Sequence, residues 1–356
     1  MKLVTTIALA VLDPIFFIMV YVTYLFYKKN VQLEKSMLTF AQTTPQKKVV
    51  DATLEGIVIG ILGSWLMKII GLPLEITKAS LLLIPTALLL SLKNPRFACF
   101  SYAVPIVGMV SLFIPRVQFD ILGMMSLVGN LHLMEAVLVY IVGAKGSIPV
   151  MVRLRGDYVG GYSMQKYWPI PIALFTIGGG FAPLCGILGF GSMAITTTPE
   201  KKAKKMGLLI GLYAIAILIG ARVVHIYPAY KLLALLLMPL LHEVVYYLDY
   251  HFESNQSPIY TIPYNGIRVL DVKHDSYGYE MGIKRGDIID QINNYSIKHA
   301  PDYYKILKQG HPKISLRVSR LNGKKEVLQC RAKGPAITEL GIVPLPTYSV
   351  IIQTVQ

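Results

Sequence analysis

Long apolar runs, repeated along the first 250 residues, constrain this chain more than any other feature. They fall at about 5–27, 56–74, 79–92, 98–115, 121–143, 169–192, 206–222 and 230–248. A helix needs about 20 apolar residues to cross a hydrocarbon core roughly 30 Å thick, so most of these runs are candidate spans. Of the 356 residues, 54% are hydrophobic and only 15% are charged, against roughly 25% charged in a soluble domain. An ordinary soluble globule and a disordered chain are both excluded. The expected fold class is an α-helical polytopic membrane domain of about seven to eight hydrophobic segments, followed by a small β-rich α+β domain.

Residues 1–250 form the expected membrane domain, 251–258 a polar linker, 259–340 the second domain and 341–356 a tail. The first run keeps its place as an anchor. It is too long for a signal-peptide core, and no small-residue cleavage site precedes Lys28. Its aromatic end, Tyr21, Tyr24, Phe26 and Tyr27, suits the headgroup level.

The net charge is +15. The lysines and arginines of the first part sit between apolar runs, which is the pattern of cytoplasmic loops and not of a nucleic-acid surface. Segment 28–52 carries Lys28, Lys29, Lys35, Lys47 and Lys48, so the N-terminus is expected outside. Simple alternation would then put Lys201, Lys202, Lys204 and Lys205 outside, against the rule. Segment 169–192, with three prolines and six glycines, offers a way out. It reads as a broken, re-entrant segment, giving seven crossings and a cytoplasmic C-terminal domain. Eight crossings and an external domain are the alternative. Cys99, Cys185 and Cys330 are too scattered for a disulfide framework or a thiolate metal site.

After Tyr250 the pattern changes to period-two alternation. Gly266–Val272, Ile288–Ile292 and Ile314–Arg320 read as half-buried strands. Pro301 opens a short helix, and Asn322-Gly323 is a hairpin turn. The order Gly-Ile-x-Val-x-x-Val, then Met281-Gly-Ile-Lys-Arg-Gly-Asp-Ile-Ile289, then Ile292-Asn-Asn-Tyr-Ser-Ile297, resembles a bacterial PDZ domain over about 260–335. One departure is Ser276-Tyr-Gly-Tyr-Glu-Met281, where such domains often read Ser-Pro-Ala. PDZ domains add an extended peptide to an exposed sheet edge. The resemblance implies a groove lined by Asn265, Gly266, Ile267, Arg268 and Val269 on the strand, and by Tyr303, Tyr304 and Leu307 on the helix. For Ile267, Val269 and Leu307 plain core is an equal reading. Leu340–Pro346 reads either as a packed final strand or as part of the groove.

The ionisable groups within the apolar runs that carry a functional hypothesis are His132, Glu135, His242 and Glu243. Intramembrane charge is costly and marks function by default. His132 and Glu135, three apart, share a helix face; a polar clamp between helices is the ordinary reading and a proton or ion path the sharper one. His242-Glu-Val-Val-Tyr246 carries only half of the His-Glu-x-x-His pattern of site-2 intramembrane metalloproteases. With the second histidine replaced by tyrosine, zinc lacks ligands. His242 and Glu243 are therefore expected near a membrane surface. No metal, cofactor or catalytic residue is assigned.

Spans followed by a terminal PDZ domain, the Leu12-Asp-Pro-Ile-Phe-Phe17 opening and a Gly-rich membrane part without catalytic motifs resemble the MinJ family of polytopic bacterial division-site proteins. That resemblance implies a non-enzymatic adaptor in a multi-pass cell-membrane location at septum and poles. Its implied partners are a DivIVA-like polar protein, the MinC–MinD inhibitor with its MinD-like ATPase, and other division proteins. An extended peptide at the PDZ edge and anionic lipids at the basic loops complete the expected partners, and a homo-oligomer stays open. A degenerate site-2-type protease, an extracytoplasmic PDZ sensor and a transport-related protein also stay open.

Overall fold

The computed structural model describes residues 2–38, 43–345 and 352–354. The helical part runs α1 (Leu3–Leu12), α2 (Pro14–Leu38), α3 (Pro45–Ile70), α4 (Leu83–Ser91), α5 (Phe100–Phe113), α6 (Ile121–Val142), α7 (Pro199–Ile226) and α8 (Lys231–Asn255). Between α6 and α7 lie three strands, β1 (Ile148–Leu154), β2 (Asp157–Phe175) and β3 (Phe181–Ala194). After α8 come β4 (Ile267–Val272), α9 (Tyr277–Glu280), β5 (Ile288–Ile292), β6 (Tyr295–Ser296), α10 (Ala300–Lys308), β7 (Lys313–Ser319), β8 (Lys325–Arg331) and β9 (Ile342–Pro344). The last described strand is β10 (Ile352–Thr354), parallel to β1.

Among the described residues four helices are long and apolar enough to cross a membrane: α3, α6, α7, and α8 with the short turn before it. A fifth span forms if α1 and α2, bent by 56°, are taken as one. The bend follows from Pro14, which forces Asp13 out of the helical region (ψ 132°). The expected seven crossings are thus not matched by helices of spanning length among the described residues. Runs 79–92 and 98–115 hold only α4, of 9 residues, and α5, of 14. At about 1.5 Å per residue neither reaches across roughly 30 Å. The chain enters and leaves this excursion at one point: Asp120, the N-cap of α6, accepts from the backbone N–H of Glu75 at 2.8 Å and of Gly123 at 3.0 Å.

Segment 169–192 is the larger correction. It is the body of a β-hairpin, not a broken helix. β2 pairs antiparallel with β3 from Tyr162↔Ala194 to Phe175↔Phe181. Gly178 and Gly179 take the positive φ values (90° and 76°) that the tight turn demands. Backbone groups packed among apolar helices must all be satisfied. On the edge of β2 facing away from β3, Tyr167 N–H donates to the Tyr27 hydroxyl at 3.2 Å and Ala173 N–H to Ser64 Oγ at 2.8 Å. Between them stand Pro169 and Pro171, which have no N–H to satisfy. Gly56 and Gly60 of α3 admit this edge. A Cβ on either would lie 2.0 or 2.2 Å from the carbonyl oxygens of Pro169 and Pro171.

One end of the helical part gathers the basic segments. Lys48 pairs with Glu34 at 2.7 Å, and Lys145 with Asp51 at 3.7 Å, joining the C-terminal ends of α2 and α6 to the start of α3. The start of α7 meets the end of α8 through Lys202, whose side chain is 2% exposed and which pairs with Glu253 at 2.8 Å and with Asp249. Glu253 also accepts from the amides of Ile195 and Thr196, each at 2.9 Å. His251–Asn255, expected in the linker, thus belong to α8 and anchor it.

The second domain is a sheet in the order β8-β7-β5-β4-β9, with β6 added to β5. Ile267, Val269, Ile289, Ile292, Ile314, Leu316 and Val318 fill its core together with Tyr303, Ile306 and Leu307 of α10. Its boundary extends past the expected residue 340, because Ile342–Pro344 pairs with β4.

Candidate functional site

The PDZ-like unit offers strand addition only where a sheet edge is free, and pairing decides which edge that is. β4 is paired on both sides. Ile267 and Arg268 face Ile289 and Ile288 of β5, and Val269, Asp271 and Val272 face Pro344, Val343 and Ile342 of β9. The expected binding edge at Gly266, Ile267, Arg268 and Val269 is therefore interior to the sheet. Gly266 (φ 90°) is packed so closely that a Cβ would lie 2.5 Å from the Ile289 carbonyl oxygen. Asn265 is exposed and lies outside the strand. Tyr303 and Leu307 are core residues at 1% and 2% exposure, whereas Tyr304 is exposed.

Among the described strands of this sheet, β8 and β9 each have one partner and stand at its two ends. Within Leu340-Gly-Ile-Val-Pro344, Ile342–Pro344 is a packed strand at one end of the sheet. Glu339, just before it, acts on the hydroxyls of Tyr303 and Tyr304; burial first and this carboxylate second push the Tyr304 phenol above its ordinary range.

The unit is held against the basic end of the helical part. Tyr162 of β2 donates its hydroxyl proton to the Leu270 carbonyl. Arg285 bonds Ser147 Oγ at 2.9 Å and Asp271 at 2.8 Å, and its guanidinium lies 4.9 Å from the Tyr162 ring centroid. Gly160 donates to the Tyr260 carbonyl at 2.8 Å. Between the two parts lies a cavity of about 1670 Å³ whose walls mix Lys48, Lys145 and Lys201 with Asp51, Glu55 and Glu200.

The intramembrane polar residues assemble differently from the expectation. His132 does not pair with Glu135, which makes no hydrogen bond among the described residues. The His132 ring packs on Tyr213 and His242, at centroid distances of 5.0 and 5.4 Å. His132 Nε2 lies 3.2 Å from Cys99 Sγ and 3.4 Å from Ser101 Oγ. His242 is buried at 8% exposure, away from the hydrated surface expected for it. Glu243 accepts from the Tyr102 hydroxyl at 2.6 Å and pairs with Arg96 at 3.5 Å. Tyr246 stands where a metalloprotease would need its second histidine, its ring 5.3 Å from that of His242. Cys99 had no visible role in the sequence. Positions 99, 132 and 242 lie too far apart for any spacing signal.

Three comparisons bear on this geometry. Residues 268–320 match the PDZ domain family. The PDZ domain of the SdrC-like protein from Listeria monocytogenes is 18% identical and covers 24% of this chain and 93% of its own, with a TM-score of 0.20. The cell division topological determinant MinJ of Bacillus subtilis (strain 168) is 26% identical over 203 residues, which is 55% of this chain and 49% of that protein. The chain thus spans about half the length of the curated relative it matches. The chain is thus weakly similar to MinJ in sequence and carries a PDZ-domain match towards its C-terminal end.

Proposed function

We propose that this chain is a multi-pass membrane scaffold without catalytic activity, recruiting protein partners in bacterial division-site placement. The observation that carries the reading is a PDZ domain held against the lysine-rich end of a helical region, in a chain similar to a division-site determinant. Lysines at membrane helix ends favour the cytoplasmic leaflet and its anionic lipids. Lys28, Lys29, Lys47, Lys48, Lys201 and Lys204 all belong to segments that meet at the PDZ end. On this reading the PDZ domain lies in the cytoplasm and the start of α1 outside. The β9 edge takes an extended peptide, with Glu339 and Tyr304 at its rim, and the partners are a DivIVA-like polar protein and a MinD-like ATPase.

Two experiments test this. Cys330 is to be labelled with a membrane-impermeant maleimide in a Cys99→Ser/Cys185→Ser background, at raised pH because burial lifts its thiol above the ordinary range. Labelling only after permeabilisation is expected; labelling of intact cells refutes the cytoplasmic placement. Glu339→Lys/Tyr304→Glu is then to replace the chromosomal copy. Misplaced septa and loss of two-hybrid signal with the DivIVA-like or MinD-like partner are expected, with the protein still in the membrane. Normal septa in this variant and in a chain lacking 259–345 would sink the scaffold reading.

A further inference from the structure

Three ligand-type side chains from three helices converge inside the helical part, and the scaffold role uses none of them. Cys99 is the N-cap of α5, His132 lies midway along α6, and His242 midway along α8. The Cys99 sulfur and one ring nitrogen from each histidine lie within 4.8 Å of one another.

Hydrogen bonding assigns which nitrogens carry protons. His132 Nδ1 is 2.8 Å from the Val128 carbonyl oxygen. A carbonyl only accepts, so Nδ1 holds the proton and Nε2 presents its lone pair to Cys99. His242 Nδ1 is 2.9 Å from the Tyr102 hydroxyl. The Tyr102 proton is committed to Glu243 at 2.6 Å, so His242 Nδ1 donates and its Nε2 is left bare. Two neutral imidazoles with free Nε2 lone pairs, beside a thiol, form a donor set that zinc takes. A carbonyl behind one ring and a Tyr–carboxylate relay behind the other are the outer partners that metal-binding histidines use.

The spacing agrees. Zinc bonds of about 2.3 Å to sulfur and 2.0–2.1 Å to nitrogen separate tetrahedral donors by roughly 3.5 Å. Ser101 Oγ stands 3.3 Å from Cys99 Sγ and 3.4 Å from His132 Nε2, and the Tyr213 hydroxyl donates to it at 2.7 Å.

We propose that Cys99, His132 and His242 bind one zinc ion, with Ser101 Oγ at the fourth position, clipping α5 to α6 and α8. On binding, the Cys99 S–H bond breaks, a sulfur–zinc bond forms and the proton leaves to solvent. The site keeps one net positive charge, which Glu243 offsets through Tyr102 and His242. Nothing is oxidised or reduced.

The test uses the full chain purified in mild detergent without chelator, with metal counted by mass spectrometry. About one zinc per chain is expected. After stripping, cobalt(II) should give a thiolate-to-cobalt charge-transfer band in the near ultraviolet, absent in Cys99→Ser. His242→Gln should retain less than about a fifth of the zinc, and a competing chromophoric chelator should report a wild-type Kd below about 0.1 µM. His225→Gln, an exposed histidine of α7, controls for adventitious binding and keeps full occupancy. Elution volume and the fluorescence of buried Trp168 show that each variant is folded. A wild-type chain that holds no zinc and takes up neither ion overturns the proposal. So does stoichiometric copper in place of zinc, or a cobalt band that survives Cys99→Ser. In either case the cluster is a hydrogen-bonded clamp or another metal's site.

Discussion

Lys202→Met is the substitution whose cost the structure defines best. The ammonium is 2% exposed and sits between Glu253 at 2.8 Å and Asp249. Removing one partner of a buried pair costs about 3–5 kcal/mol, because the other charge is left stranded. Here the stranded groups keep other donors. Glu253 retains the amides of Ile195 and Thr196 and the Thr196 hydroxyl at 3.2 Å, and Asp249 retains the Ser192 hydroxyl at 2.9 Å. The cost therefore falls at the low end, about 3 kcal/mol, or roughly 150-fold in the folded-to-unfolded ratio. The double variant Lys202→Met/Asp249→Asn removes one stranded charge. It should lose at least about 1 kcal/mol less than the sum of the two single losses. Unfolding by dodecyl sulfate in mixed micelles, followed by Trp168 fluorescence in a Trp65→Phe background, measures all three. Trp168 is fully buried and donates to Glu55 at 2.8 Å, so its emission reports the packing of α3 on β2. A single-variant loss below about 1 kcal/mol, or strict additivity, would refute the claim that this lysine is bound by a shared low-dielectric cluster.

Other perturbations follow from the same contacts. Gly60→Ala places a Cβ 2.2 Å from the Pro171 carbonyl, where backbone must move; a loss of about 1–3 kcal/mol is expected in the same titration. Tyr162→Phe leaves the buried Leu270 carbonyl without its donor, and Arg285→Ala removes the bonds to Ser147 and Asp271. Together they should speed proteolytic cutting within 256–263, measured against the wild-type rate. Asp302 accepts from the amides of Lys298 and His299, which hold its carboxyl below the ordinary range. Its contribution is complete above the unfolded pKa near 3.9 and is lost as pH falls through the lower folded value. Hydrogen exchange of α10 amides should thus accelerate in acid, relative to the rest of the sheet, less in Asp302→Ala than in wild type.

Parts of this architecture were legible because one period dominates each of them. Runs near 56–74, 121–143, 206–222 and 230–248 lie within helices, though α3 and α7 begin earlier than expected, at Pro45 and Pro199, where polar first turns hid their starts. Alternation and Asn322-Gly323 marked the PDZ strands. The hairpin was hidden because a strand covered on both faces reads as a continuous apolar run. Its prolines looked like helix breakers, whereas Pro169 and Pro171 sit on an edge where an N–H would have needed a partner. β9 stayed one of two readings of Leu340–Pro346 because three residues carry no period; its pairing with β4 decides for the strand. Cys99, His132 and His242 meet only through tertiary packing, and Glu253 looked like linker because its buried partner, Lys202, lies 51 residues earlier.

β2 runs unbroken for 19 residues, from the sheet whose Tyr162 grips the PDZ domain to Phe175, whose carbonyl takes the N–H of Leu74 at 2.8 Å. At about 3.3 Å per residue that is a strut of roughly 60 Å in nearly extended backbone. Extended chain resists stretching with its covalent geometry, while a helix pulled along its axis yields its hydrogen bonds one turn at a time. A partner that tugs on the PDZ domain would therefore load the far end of α3 through Tyr162 and β2, in parallel with α8, to whose end the domain is covalently joined. Such a chain can serve as a mooring: part of the tension from a moving assembly is carried past the covalent attachment at α8 to the opposite end of the helical region.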